Sequence, residues 1–230
     1  MNYYILRMES DPAILGVQDL DQAIIDKKCF QDEKEYDKLM AILGSNDYWN
    51  HIGEIADFDF SLQCARLKKR AKLTDFLNFT PHLMNCPFLI SKAVKELFSA
   101  FNLYGVNFWP ANVMKGDERF GFYLVHFTDV GDGVIDFSKS TFYSGNAQGK
   151  KLLKFNDKSA KDMFVETNMI IKYDKIVLNN SLARSLDLFQ LPNSQIIVST
   201  PLKDKLDAGG YSGVKLLPAF GDVGQWLKLH

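Results

Sequence analysis

The chain has 230 residues, of which 47% are hydrophobic and 24% are charged, and its formal net charge is −1. This balance gives no bulk electrostatic attraction to nucleic acid or to an anionic membrane, and no apolar run approaches the roughly 18 residues that a membrane-spanning helix needs. The three cysteines, Cys29, Cys64 and Cys86, lack metal-ligand spacing, and the start shows no secretory signal; both features favour a cytoplasmic protein without a zinc site.

The first predicted elements are a strand and a helix. Residues 3–8 are aromatic and β-branched, which is typical of an opening strand. Apolar residues recur at helical spacing within residues 19–43, and Gly44 is a stop signal. Residues 57–67 begin with alternating polar and apolar side chains, which predicts a half-buried strand. The basic run that follows is interpreted as a solvated loop or strand edge.

Charge is distributed unevenly along the chain. Residues 1–60 hold 13 Asp or Glu against 5 Lys or Arg, whereas residues 61–95 hold 1 against 7. We therefore expect an acidic N-terminal lobe, residues 1–71, that presents carboxylates to a charged partner. The alternative is that these carboxylates only keep the lobe soluble. The expected partner-contact residues are Asp32, Glu33, Glu35, Glu54, Asp57 and Asp59.

One sequence pattern occurs twice. Residues 87–111 and 195–219 align at an offset of 108 without a gap and share seven identical residues in 25 positions. Each copy predicts a strand, a helix, a turn and a second strand, and Pro110 is expected to end the second strand of the first copy. The expected structural residues are the helix-capping Ser91 and Ser199, the turn glycines Gly105 and Gly213, and the prolines Pro110 and Pro218.

The repeat favours an α+β fold, because two copies are too few for a solenoid. We expect a single domain of residues 1–230 with a mixed or antiparallel sheet. Within it, residues 72–220 form the duplicated core and residues 221–230 a C-terminal tail. Between the copies, Asp132-Gly133 is expected at the tip of a hairpin whose strands are "FYLVHF" and "VIDFSKSTF".

Signals for catalysis are weak in this sequence. No two histidines stand at helical spacing from one another, and no nucleophile elbow, phosphate loop or dinucleotide fingerprint occurs. The favoured interpretation is a binding protein that is not an enzyme and has no cofactor. One alternative is a scaffold subunit that forms homo-oligomers through a sheet edge. Another is a metal-dependent hydrolase or nuclease with a dispersed site made of Asp57, Asp59, His126 and Asp136.

Several stretches resemble, in order, one bacterial protein family. They are "KLTDFL", "FLISKAVKELF", "GVNFWPANV", "YLVHF", "VIDFSKS" with Asp136 and Ser140, and "LDLFQLPNSQIIVSTPLKDKLDAGGYSGVKLLPA". With the first few residues, they cover Lys72 to Ala219 and are similar to the eleventh of the immunity-protein families defined for polymorphic toxin systems. Gln190 stands where the family pattern has an arginine.

The resemblance implies a non-enzymatic antitoxin. Members of the family are encoded beside toxins that are delivered by contact or by type VI secretion, and are thought to neutralise them by binding. The implied partner is a cognate toxin encoded by the adjacent gene, often a nuclease, without direct contact to nucleic acid or membrane; a homodimer is an open alternative. A nuclease has a basic cleft for phosphates, so an inhibitor with an acidic face gains electrostatic steering and can occlude that cleft.

Overall fold

The structure, a computed structural model, describes residues 2–30, 32–44, 48–53, 55, 61–145, 149, 151–165, 171–179, 185–222 and 227–228. The strands in this part of the chain are β1 (Asn2–Met8), β2 (Ala23–Ile24), β3 (Leu62–Leu67), β4 (Phe76–Leu77), β5 (Phe79–Thr80), β6 (Phe88–Ser91), β7 (Val106–Lys115), β8 (Glu118–Phe127), β9 (Thr141–Ser144), β10 (Lys151–Leu153), β11 (Lys172–Ile176), β12 (Leu188–Gln190), β13 (Ile196–Ser199), β14 (Val214–Asp222) and β15 (Leu227–Lys228). The helices are α1 (Pro12–Leu15), α2 (Glu33–Leu43), α3 (Tyr48–His51), α4 (Lys92–Ser99), α5 (Lys158–Val165) and α6 (Thr200–Gly209), with short 3-10 helices at Lys27–Cys29 and Asp132–Val134.

Three sheets form within the described residues. The largest has the strand order β4-β6-β8-β7-β3-β2-β5. Its end strands β4 and β5 are separated in the chain only by Asn78, so the sheet curls into a nearly closed barrel. The second sheet has the order β12-β13-β1-β14 and the third β10-β9-β11-β15. Most pairs are antiparallel, but β2–β5 and β3–β7 are parallel. Helices and mixed sheets occur together, which confirms the predicted α+β class.

The duplicated strand–helix–strand unit is present as β6-α4-β7 in the first copy and β13-α6-β14 in the second. The two strands of each copy run parallel to one another, because both pair antiparallel with a strand that lies between them. That strand is β8 in the first copy, which follows the unit directly, and β1 in the second, which comes from the start of the chain. The short strands β4 and β12 extend the likeness, since each pairs with the first strand of its copy.

Both repeat helices bury their apolar faces in one hydrophobic core. Val94 and Phe98 of α4 and Leu202 and Leu206 of α6 lie in it, and these pairs are equivalent at the offset of 108. Full burial of one such side chain contributes roughly 1.5–3 kcal/mol. The two copies therefore share the core that stabilises them.

A second core fills the barrel. Leu39 and Leu43 of α2 and Tyr48 of α3 are completely buried in it, beside Trp109 and Phe122 of the barrel strands. The acidic N-terminal segment thus places apolar residues inside the barrel, and it also supplies β1 to the second sheet.

The helix predicted within residues 19–43 exists only in its second half. α2 begins at Glu33, whereas Ala23 and Ile24 form β2 and pair with β3 and β5 of the barrel. Strand pairing prevails because Ala23 is completely buried in the barrel core, and tertiary burial outweighs local helix propensity. Gly44 ends α2 as predicted, with its N–H donating to the carbonyl of Met40 at 3.0 Å.

The prediction that Pro110 ends its strand is wrong. β7 continues to Lys115, and β14 likewise continues past Pro218 to its end at Asp222. Pro110 lies where β7 pairs with β8 alone among the described strands, because pairing with β3 starts at Ala111. Pro218 lies in β14, at the edge of its sheet. Proline has no N–H to donate, and both positions leave one side of the strand without a ladder, so proline is tolerated.

The predicted hairpin at Asp132-Gly133 is also wrong. Both edges of β8 are occupied, by β6 and by β7, so β8 has no edge left for a later strand. Residues 132–134 form a 3-10 helix instead, and "VIDFSKSTF" enters a named strand only at Thr141. Asp132 accepts hydrogen bonds from Lys161 Nζ at 2.5 Å and from the Tyr173 hydroxyl at 2.6 Å, which ties α5 to β11.

Candidate partner-binding face

The first turn of α2 carries three of the predicted partner-contact residues. Asp32 is the N-cap, and its carboxylate accepts a hydrogen bond from the N–H of Lys34 at 2.9 Å. Glu33 and Glu35 follow in the first turn, and all three acidic side chains are exposed. Negative charge is favourable at a helix N-terminus, so the fold itself gains from these carboxylates. The other predicted contact residues, which lie outside the described residues, are Glu54, Asp57 and Asp59.

Neighbouring side chains compensate part of this acidic turn. Lys27 Nζ lies 3.0 Å from Asp37 Oδ2 and 3.3 Å from Glu33 Oε2, and these carboxylates raise the pKa of Lys27 above its ordinary value. Gln63 of β3 donates a hydrogen bond to Glu35. Exposed ion pairs contribute at most about 1 kcal/mol each. Asp32 has no ion-pair partner among the described residues.

The basic segment after residue 60 folds back onto the acidic one. Arg66 of β3 pairs with Asp26, and Lys68 Nζ lies 2.5 Å from Asp19 Oδ2. The opposite charge excesses of the two segments thus meet on the surface. The acidic face is smaller than the sequence count indicates, and the start of α2 holds a dense group of exposed carboxylates within it.

The two cap serines connect each repeat helix to an aspartate. In both copies the serine Oγ accepts a hydrogen bond from the backbone N–H three residues later, at 3.4 Å. Ser91 Oγ also donates to Asp75 at 3.0 Å, and Ser199 Oγ donates to Asp187 at 2.5 Å. No sequence pattern marked these two aspartates, although each stands one residue before the short strand that pairs with the first strand of its copy.

The turn glycines lie where a side chain does not fit. Gly105 and Gly213 have φ values of +62° and +86°, in the left-handed region. A Cβ would overlap the carbonyl oxygen of Thr128 at Gly105 and that of Phe76 at Gly213. Glycine is therefore required for both the turn and the close approach of backbone.

Asp136 and Ser140 form a closed turn before β9. The Ser140 hydroxyl donates to the Asp136 carbonyl at 2.7 Å and accepts from the Val177 N–H at 2.9 Å. The Asp136 carboxylate accepts from Lys139 Nζ at 2.7 Å and from the Ser138 hydroxyl at 2.6 Å, and these bonds lower the pKa of Asp136. Both residues are thus engaged in holding the turn against the end of β11.

His126 is completely buried in the barrel. Its Nε2 lies 2.9 Å from the hydroxyl oxygen of Tyr48, which also accepts from Asn85 Nδ2 at 2.9 Å. The Trp109 ring packs against the imidazole, with 5.3 Å between ring centroids. Burial lowers the pKa of His126 to about 4, so the ring is neutral near pH 7 and links α3 to β8.

The structure does not bring together those candidates for a dispersed catalytic site that it describes. His126 and Asp136 belong to separate hydrogen-bonded groups, and Asp57 and Asp59 lie outside the described residues. In the described part of the chain, no three His, Cys, Asp or Glu side chains form a group that could hold a metal ion. None of the helices described there is long and apolar enough to cross a bilayer.

Fold and surface together define the class of protein. The polar residues of the repeat and of the Asp136 turn are used inside the fold as caps and turns, whereas the acidic turn of α2 stays exposed. This is an α+β protein with a group of acidic side chains exposed at the start of α2. The sequence model of the immunity protein family Imm11 matches residues 11–220, and the chain belongs to that family. A comparison with curated proteins gave no match.

The family match confirms the resemblance that the sequence motifs indicated. It also begins at residue 11, so it includes the acidic segment, which carries little of the motif resemblance. Membership implies a non-enzymatic role and a cognate toxin as partner.

Proposed function

We propose that the protein is an immunity protein that binds a cognate bacterial toxin, the product of the adjacent gene, and neutralises it without catalysis. The family match over residues 11–220 is the observation that carries this proposal. The toxin is a nuclease delivered into the cell by contact or by type VI secretion. The protein meets it in the cytoplasm and occludes its active-site cleft.

The exposed carboxylates of Asp32, Glu33 and Glu35 support a basic partner surface. A cleft that binds phosphates concentrates positive charge, and complementary charge on an inhibitor accelerates association and fixes its orientation. The Asp32 cap and the contacts of Glu33 with Lys27 and of Glu35 with Gln63 favour an ordered turn before the partner arrives. An ordered face loses less conformational entropy on binding.

Titration calorimetry of the full chain with the product of the adjacent gene tests the proposal. We expect roughly 1:1 binding that weakens as the salt concentration rises from about 0.05 M to about 0.5 M, because salt screens exposed charges. A parallel growth assay should show that co-expression of the protein restores growth to cells that express the toxin. No binding and no rescue would contradict the proposed function.

A charge-neutral triple variant tests the face. Asp32→Asn, Glu33→Gln and Glu35→Gln remove three negative charges while Asn keeps the N-cap. We expect about tenfold weaker toxin binding, mainly through slower association. The charge-matched control is Glu96→Gln with Asp204→Asn and Asp207→Asn, three exposed acids on the repeat helices, which should leave affinity unchanged. Equal affinities for the triple variant and the wild type would move the interface away from α2.

A further inference from the structure

A groove of about 770 Å³ lies where β3, the turn of the β7–β8 hairpin and the 3-10 helix at Lys27–Cys29 meet. No notable motif of the sequence marks it, because its lining comes from three separate segments. Three cations line it, namely Lys28, Arg66 and Arg119. The lining contains no carboxylate among the described residues.

Two of these cations are available to a ligand. Arg66 is already paired with Asp26. Lys28 and Arg119 are exposed, and neither makes an ion pair with any residue that the structure describes. An arginine guanidinium binds a carboxylate through two parallel hydrogen bonds, and a lysine binds it as a point charge. The groove therefore attracts anionic groups.

The shape and the remaining lining favour a peptide over a small inorganic anion. Leu67, Met114 and Cys64 are half-buried and contribute an apolar and sulfur-bearing surface between the cations. A volume of about 770 Å³ holds several side chains, whereas a phosphate ion would leave the apolar part empty. A segment with both carboxylates and apolar side chains satisfies both parts of the groove.

The groove adjoins the acidic turn of α2. Gln63 lines the groove, and its amide donates a hydrogen bond to Glu35 of that turn. A negative face and a positive groove therefore lie side by side on one surface. Adjacent patches of opposite sign set the register of a complex, because a shifted partner would juxtapose like charges.

We propose that this groove binds an acidic segment of the toxin while the acidic turn of α2 faces a basic part of the same protein. This inference rests on the proposed function and adds the second half of its interface. Lys28 and Arg119 are the residues that contact the acidic segment. Arg66 positions the groove through its pair with Asp26.

Charge reversal of the two available cations tests the inference. Lys28→Glu with Arg119→Glu should weaken toxin binding more than tenfold at low salt, with a smaller loss at high salt. The matched control is Lys92→Glu with Lys205→Glu, which reverses two exposed cations on the repeat helices and should leave binding unchanged. Circular dichroism melting checks that each variant is folded.

The outcomes separate this inference from the proposed function. If the wild type binds the toxin and the Lys28/Arg119 variant binds it equally well, the groove assignment is overturned and the immunity function stands. If the wild type does not bind, the proposed function fails, and the groove fails with it as a toxin site.

A second measurement identifies the ligand chemistry directly. A fluorescein-labelled peptide of alternating Glu and Leu should bind the wild type and not the Lys28/Arg119 variant, and a Lys–Leu peptide should bind neither. Binding of inorganic phosphate or of a single-stranded oligonucleotide, without binding of the Glu–Leu peptide, would overturn the assignment to an acidic peptide.

Discussion

Asp75 and Ser212 are 137 positions apart in the chain, yet the Asp75 Oδ2 accepts hydrogen bonds from the Ser212 N–H at 3.0 Å and from its hydroxyl at 2.9 Å. Asp75 stands just before β4, which pairs with the first copy of the repeat, and Ser212 lies in the turn that follows the helix of the second copy. The converse bond exists as well, because Asp187, just before β12 and next to the second copy, accepts from the N–H of Asn102, in the turn after α4, at 3.0 Å. Each aspartate thus holds the cap of its own helix and the turn of the other copy.

Removing either aspartate should destabilise the whole fold. Asp75→Ala leaves three donors of Ser91 and Ser212 without their acceptor. Asp187→Ala leaves two donors without theirs, the Ser199 hydroxyl and the Asn102 N–H. Hydrogen bonds to charged groups contribute about 1.5–3 kcal/mol, so we expect each variant to lower the free energy of unfolding by about 2–3 kcal/mol. Urea unfolding measures this loss.

The control for these variants is Asp204→Ala on α6. Its side chain is 62% exposed and, among the residues that the structure describes, pairs with Lys203 alone, at 3.4 Å, so we expect a change near zero. If the Asp75 and Asp187 variants unfold like this control, the aspartates do not hold the two copies together.

The cap serines should affect stability without affecting toxin binding. Ser91→Ala should cost about 1 kcal/mol, the usual value for an N-cap. Ser199→Ala should cost more, because Ser199 is completely buried, so the Asp187 carboxylate loses a donor that water replaces poorly. Calorimetric melting and toxin titration of the same samples check both statements. Loss of toxin binding with unchanged melting would mean that the repeat belongs to the interface.

The repeat could be found from the sequence, whereas the hydrogen bonds of Asp75 and Asp187 between its copies could not. The helix caps, turns and apolar faces keep a constant offset of 108, so they align by eye. The aspartates do not, because Asp75 precedes its serine by 16 residues and Asp187 precedes its serine by 12. A comparison at a constant offset therefore does not reveal that Asp75 and Asp187 are equivalent, whereas the strand pairing does.

The pairing of β1 with the second copy and the neutralised part of the acidic surface also could not be predicted from the sequence. The strand inside the second copy is β1, which lies almost 200 residues before β13 in the chain, and sequence neighbours give no sign of such pairing. Charge counts predicted an acidic lobe, but they could not show that Arg66 and Lys68 return to Asp26 and Asp19. The groove beside α2 could not be predicted for the same reason, since Lys28 and Arg119 line one groove only in the folded chain.

Gly213 should be far less replaceable than Gly210, although both have a left-handed backbone. Gly210 has φ +61° and open space around its Cα, so Gly210→Ala should cost only the strain of that conformation, about 1 kcal/mol. Gly213→Ala adds an overlap with the carbonyl of Phe76, a residue whose N–H donates to the Ser212 carbonyl in the contact between the copies. We expect a loss of more than about 3 kcal/mol, measured by urea unfolding. Similar losses for the two variants would show that the contact at Phe76 relaxes easily.

His126 should make stability depend on pH in the mildly acidic range. Its folded-state pKa is lowered from 6.5 to about 4 by burial, whereas in the unfolded chain it titrates near 6.5. Between these values the unfolded state binds a proton that the folded state does not, so the free energy of unfolding falls as the pH falls from about 6.5 towards about 4. At about 1.4 kcal/mol per pH unit, the full loss from this group is about 3 kcal/mol.

A variant isolates this contribution from that of the carboxylates. His126→Gln keeps a polar group beside the Tyr48 hydroxyl but does not titrate, so its free energy of unfolding should fall less steeply than that of the wild type between pH 6.5 and pH 4. Above pH 6.5 the difference between the two proteins should be constant. His82→Gln, at an exposed histidine, is the control and should keep the wild-type profile. Parallel profiles for His126→Gln and the wild type would mean that the imidazole is protonated inside the folded barrel, and its bond to Tyr48 would then have to be one that His126 donates.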